Sequence, residues 1–152
     1  MTGPFGAAYI AGVRYLGVDL GRARIGLALA DDVLSTANGL KVIERRGEPA
    51  DLASLGAVAE EYGVNRIVVG LPLNMDGTEG ASARMARAFA ARLAEALAVP
   101  VELFDERLST FEAEARLRAR GHSARETKER VDAEAAAVIL QDWLDGRAAC
   151  AS

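Results

Sequence analysis

The stretch Arg14-Tyr-Leu-Gly-Val-Asp-Leu-Gly-Arg-Ala-Arg-Ile-Gly-Leu-Ala-Leu-Ala30 decides the fold. Residues 14–19 and 23–30 are apolar runs separated by Gly21-Arg22, which reads as two strands joined by a tight turn. Asp19 ends the first run, at a position where a core would favour an apolar residue. A half-buried carboxylate is costly unless something positive pairs with it. The hairpin therefore brings a charge that needs a positive partner.

Working outward, residues 36–44 alternate weakly and form a candidate third strand. Asp51–Tyr62 has helical spacing, with Leu52, Leu55, Val58 and Ala59 on one stripe and Gly63 as a stop. Arg66–Leu71 is a continuous β-branched run, the mark of a strand covered on both faces. Ser82–Ala98 reads as an Ala-rich helix and Val99–Phe104 as a short buried strand. Ser109-Thr-Phe-Glu112 is a capping box opening a helix that Gly121 closes. Ser123-Ala-Arg-Glu126 repeats the box and opens a last helical stretch to about Asp145. The order β-β-β-α-β-α-β-α-α predicts a single α/β domain on a mixed sheet over residues 14–146, with a loose leader at 1–13 and a tail at 147–152.

Composition narrows the class. The chain has 152 residues, 51% of them hydrophobic, and a net charge of −4, which gives no general attraction to nucleic acid. Residues 107–130 nevertheless carry seven basic side chains against four acidic ones. That segment, with Arg116 and Arg120 in it, can meet phosphates, although a solvated helix face accounts for the same charges. A lone cysteine, Cys150, excludes a disulfide framework and points to a reducing compartment. No signal peptide and no long apolar run suggest a membrane.

Two further carboxylates sit where a core would be apolar. Glu106 follows the Val99–Phe104 run, and Asp132 shares a helix face with Ala136, Ile139 and Trp143. Sites in open α/β sheets gather beyond the carboxyl ends of strands, so Asp19, Glu106 and Asp132 are candidate catalytic residues and metal ligands. All-oxygen donors suit a hard cation, Mg²⁺ or Mn²⁺. Two such ions about 4 Å apart activate a water and stabilise a leaving oxygen in phosphodiester hydrolysis. Without metal, three clustered carboxylates repel, roughly 3 kcal/mol per close pair at an effective dielectric near 20. Asp132→Asn is then expected to raise the melting temperature in EDTA. Plainer readings stay open: Asp132 as an acidic residue favoured by a helix N-terminus, Glu106 paired with Arg107 or another arginine, and Asp105 as the ligand instead of Glu106. Arg22, Arg24 and Arg107 are candidate phosphate contacts. So are Asn74 and Thr78 in the loop Gly70-Leu-Pro-Leu-Asn-Met-Asp-Gly-Thr78. His122 is alone, and no Ser-His-Asp set, Cys-His zinc set or P-loop occurs.

Four blocks resemble the bacterial YqgF (RuvX) family, in the family's order: Tyr15-Leu-Gly-Val-Asp-Leu-Gly-Arg-Ala-Arg-Ile-Gly26, Ile67-Val-Val-Gly-Leu-Pro-Leu-Asn-Met-Asp-Gly-Thr-Glu79, Asp105-Glu-Arg-Leu-Ser-Thr110 and Val131-Asp-Ala-Glu-Ala-Ala-Ala-Val-Ile-Leu140. The resemblance implies an RNase H-like fold, a five-stranded mixed sheet with three antiparallel strands first, flanked by helices. It implies a two-metal endonuclease whose family acidic residues match Asp19, Glu106 and Asp132. The family is regarded as maturing the 5′ end of pre-16S ribosomal RNA and, alternatively, as resolving Holliday junctions; both imply the cytoplasm. The partner is then structured RNA or branched DNA, and the chain a monomer or homodimer, since a resolvase needs two-fold symmetry. A non-catalytic rRNA-binding assembly factor is a further alternative. An ATPase-like phosphate-binding module, which opens on a similar glycine pattern, needs a second lobe that 152 residues do not accommodate.

Overall fold

Strand β1 (Arg14–Leu20) turns back into β2 (Arg24–Asp31), and β2 into β3 (Asn38–Glu44). A computed structural model describes residues 12–105 and 124–151. In it, β1 and β2 pair antiparallel from Arg14↔Asp31 to Leu20↔Ile25. The chain then crosses through α1 (Glu48–Tyr62) to β4 (Arg66–Leu71) and through α2 (Ala81–Leu97) to β5 (Val101–Asp105). Both β4 and β5 lie parallel to the strand beside them, giving a five-stranded mixed sheet in the order β3-β2-β1-β4-β5. The last described element is α3 (Ala124–Ala151). The expected architecture holds. The final helix runs beyond Asp145 to Ala151, and the helix expected at 109–121 lies outside the described residues.

Local chemistry explains the boundaries. Pro49 sits in the first turn of α1, where its missing N–H costs nothing, so the helix starts before the expected Asp51. Gly63 ends it at φ 63°, a left-handed cap. β4 is buried from Ile67 to Leu71, as a strand covered on both faces must be.

Alternation assigns the faces. Leu16, Val18, Ile25, Leu27, Ile67 and Val69 form one core with Leu55 and Val58 of α1 and Phe89 and Leu93 of α2. Tyr15, Ala28, Ala30 and Val68 form a second with Ala136, Ile139, Leu140 and Trp143 of α3. Apart from Tyr15, Asp19 and Arg24, the α3 side of β1 and β2 is built from small residues, Gly17, Gly26, Ala28 and Ala30. A Cβ added at Gly17 would lie 2.9 Å from the Ala136 carbonyl oxygen, and one at Gly26 only 1.8 Å from that of Asp132. The helix backbone therefore rests directly on the hairpin.

Candidate active site

The carboxyl ends of β1, β4 and β5 and the β1–β2 turn share one edge of the sheet. Asp19 stands at this edge, half-buried, and its partner across the hairpin is Gly26. By parity with Tyr15 and Gly17 it belongs to the α3 face. The Asp132 backbone lies on Gly26, so the close approach of α3 delivers Asp132 to the strand position beside Asp19. A side chain at residue 26 would hold the two apart.

Asp132 lies well inside α3, which begins at Ala124, so its role is not that of an acidic residue at a helix start. Its Oδ2 accepts a hydrogen bond from Arg24 Nε at 2.6 Å, and both side chains are about a quarter exposed, 24% and 25%. This pairing sets a counter-ion against the repulsion expected among bare carboxylates, and removing the Asp132 charge takes that partner from Arg24.

Asp105 ends β5 on the parity of Val101 and Leu103, which pack toward the α1–α2 core, whereas Phe104 packs with the α3 cluster. Alternation thus keeps Asp105 off the α3 face and weakens its claim as a ligand. Glu106, Arg107, Arg116, Arg120 and His122 lie outside the described residues. Among the described residues no three acidic, histidine or cysteine side chains gather as a metal group. Asp19 and Asp132, brought to neighbouring backbone positions at one strand edge, are an all-oxygen donor pair of the chemistry a hard cation takes.

Of the candidate phosphate contacts, Arg22 is exposed on the β1–β2 turn and Arg24 enters β2 from it. Asn74 and Thr78 are exposed in the loop after β4, beside the ends of β1 and β5. They are tied to each other: Asn74 Nδ2 donates to Thr78 Oγ1 at 2.9 Å, and Thr78 donates from its hydroxyl and backbone to Asp76 Oδ1 at 2.6 and 3.0 Å. Those donors, the hydroxyl foremost, hold the Asp76 carboxyl below the usual aspartate range. The loop is a closed polar ring, with any nucleic-acid contact left to its outward atoms.

One device escaped the sequence reading. Arg45 follows β3 and clasps the β1–β2 turn: its backbone N–H donates to Ala23 O at 2.9 Å and its Nη1 to Gly21 O at 3.1 Å. Its Nε donates to Asp51 Oδ2 at 3.0 Å, and Asp51, 1% exposed, also accepts from the Arg46 N–H. Asp51 is the one buried charged side chain among the described residues. An aspartate in a first helical turn is ordinary in sequence, and no spacing rule links it to a turn two strands back.

Residues 13–146 match the family model described as "RuvX: Holliday junction resolvase". This chain belongs to the RuvX family. A relative from Anaeromyxobacter sp. (strain Fw109-5), named "Putative pre-16S rRNA nuclease", is 73% identical over 89% of this chain and 98% of its own. One of the same name from Myxococcus xanthus is 47% identical over 88% of each. Among solved structures, RuvC of T. thermophilus in complex with Holliday junction substrate matches with a TM-score of 0.57 at 18% identity, covering 90% of this chain and 96% of that one. The large terminase nuclease of phage G20c matches at 0.51 and 13% identity, over 84% and 81%. At such identities these two attest the fold alone. No helix among the described residues is long and apolar enough to cross a membrane.

Proposed function

We propose that this RuvX-family chain is a divalent-metal-dependent endonuclease that hydrolyses phosphodiester bonds, acting in the cytoplasm on the 5′ region of pre-16S rRNA. The observation that carries it is the seating of α3 on Gly26, which sets Asp132 beside Asp19 at the carboxyl edge of the sheet. The RNA substrate rests on the names of the high-identity relatives. Asp19, Asp132 and Glu106 are the residues that would hold Mg²⁺ or Mn²⁺. When bound, such ions supply an activated water and charge stabilisation at the leaving oxygen.

The chain's own part is binding and orientation. Arg22 and Arg24, on a turn clamped by Arg45, receive the phosphate backbone with charge-assisted hydrogen bonds. The loop ring at Asn74–Thr78 bounds the other side of the edge. Arg107, Arg116 and Arg120 remain candidate phosphate contacts by sequence.

The family model's own description favours a second reading, junction resolution. Incubating the protein with a pre-16S rRNA fragment and with a four-way DNA junction, each with Mg²⁺ or Mn²⁺, and mapping the cuts tests both. Cuts near the 16S 5′ end support the first. Symmetric cuts in the junction by a dimer support the second. Tight rRNA binding without cleavage in either metal would leave a non-catalytic assembly factor.

A further inference from the structure

The ion pair between Arg24 and Asp132 has a use beyond charge neutralisation. Arg24 Nε sits 2.6 Å from Asp132 Oδ2, so that oxygen is engaged by a full positive charge in a charge-assisted hydrogen bond. A divalent cation taking Asp132 as a ligand would set a second, larger positive charge against the same carboxylate. The two cations repel, and the metal would have to share a carboxylate whose Oδ2 already holds a guanidinium, which weakens the hold of each.

Resting on the metal-nuclease reading above, we infer that Arg24 and the divalent cation compete for Asp132, and that the displaced guanidinium turns to the substrate phosphate. Arg24 is then a coupling residue: it weakens metal binding in the free protein and strengthens it once nucleic acid is present. The surroundings favour a swing of the side chain alone. The turn that carries Arg24 is pinned at Gly21 and Ala23 by Arg45, so its backbone stays in place. Arg22, on the same turn, is exposed at the edge where a phosphate would arrive. A guanidinium beside a divalent cation needs an anion, and a phosphodiester offers two oxygens to its planar fork. Reciprocity follows: the factor by which metal raises nucleic-acid affinity equals the factor by which nucleic acid raises metal affinity.

The test compares two arginines on one turn. Mn²⁺ is titrated calorimetrically into wild type, Arg24→Ala and Arg22→Ala without nucleic acid. Arg24→Ala is expected to bind Mn²⁺ about fivefold tighter or more, the lower end of typical coupling. Arg22→Ala removes the same charge without touching Asp132, and its exposed charge is screened, so its shift stays below about twofold. In anisotropy with a labelled rRNA stem-loop and Ca²⁺, the cation-induced gain in affinity should be present in wild type and lost in Arg24→Ala. Should the Ala variant melt early, Arg24→Gln keeps the side-chain stem and faces the same thresholds. Equal tightening in Arg24→Ala and Arg22→Ala overturns the inference, as does none in Arg24→Ala. A wild type that binds no divalent cation sinks this inference and the nuclease reading together. The predicted coupling in a protein that cuts neither rRNA nor junction would sink only the nuclease reading.

Discussion

On the α1–α2 side of the sheet, Leu16, Val18, Ile25, Leu27, Ile67 and Val69 meet Leu55, Phe89 and Leu93, nearly all wholly excluded from solvent. On the α3 side, β1 and β2 present Gly17, Asp19, Arg24, Gly26 and Ala28 instead. Each large side chain on the first face contributes about 1.5–3 kcal/mol by leaving water. The second face gives up much of that. In exchange the α3 backbone comes down onto the hairpin, and Asp132 reaches the level of Asp19. Side-chain volume fixes the distance between layers, and here a small distance brings Asp132 to the candidate site.

The largest expected effect lies on the α3 face. Asp19→Asn keeps shape and loses charge, so cleavage should fall by at least roughly a hundredfold, the scale of losing one strong electrostatic element. Unchanged cleavage by a clean preparation would remove Asp19 from the chemistry and, with it, the functional half of the contrast.

A paired substitution at neighbouring positions of β2 probes the contrast directly. Leu27 is fully buried on the α1–α2 face, and Leu27→Ala should cost about 2–5 kcal/mol in urea unfolding. The molecules that remain folded should cleave as wild type does. Gly26→Ala drives a Cβ to within 1.8 Å of the Asp132 carbonyl oxygen, and α3 must retreat. Overpacking of this kind costs about 1–3 kcal/mol. Activity per folded molecule should drop far more than for Leu27→Ala, because Asp132 retreats with its helix. Equal activity losses in the two variants would mean that the faces do not divide stability from function.

Asp51→Asn tests whether the α1–α2 side also props the site. It strips Arg45 of a partner that is 1% exposed. Breaking a buried pair by removing one member costs about 3–5 kcal/mol; Arg45 keeps some exposure, which puts the expected loss near the low end. The turn at Gly21 should loosen and nucleic-acid affinity weaken, while metal affinity holds. A variant that loses stability without any change in nucleic-acid affinity would make the clasp purely structural.

Much of this was legible in the sequence, for reasons that differ by residue. The two runs around Gly21-Arg22 and the β-branched Arg66–Leu71 stretch carry strong local patterns, and their strands appear within a residue or two of expectation. Asp19 and Asp132 stood out as charges in apolar settings. The partner of Asp132 did not, because Arg24 lies more than a hundred residues away and only the seating of α3 joins them. The Arg45–Asp51 clasp was invisible for a related reason: each residue is ordinary in its own segment, and its burial is a property of the assembled layers. In sequence the glycines signal a turn at Gly21 and a pattern shared with phosphate-binding modules. At Gly17 and Gly26 their use is to admit the backbone of a helix whose place in the stack no local pattern reveals.

The smallest effect carries the most discriminating sign. Asp132→Asn keeps the volume on which α3 packs and removes one partner of Arg24. Both side chains are about a quarter exposed, so solvent screens the pair and its contribution is about 0.2–1 kcal/mol. For a chain of this size one kcal/mol shifts the melting temperature by about 2–4 °C. The variant in EDTA should therefore melt slightly below wild type. Uncompensated repulsion among clustered carboxylates would give the opposite sign, since each close pair relieved is worth roughly 3 kcal/mol before screening. Adding Mg²⁺ or Mn²⁺ should then raise the wild-type melting temperature more than that of the variant, because a ligand that binds only the folded state stabilises by mass action. A higher melting temperature for Asp132→Asn in EDTA would mean that repulsion outweighs the Arg24 bond. An equal metal response in both proteins would take Asp132 out of the ligand set and leave the α3 face with close packing alone.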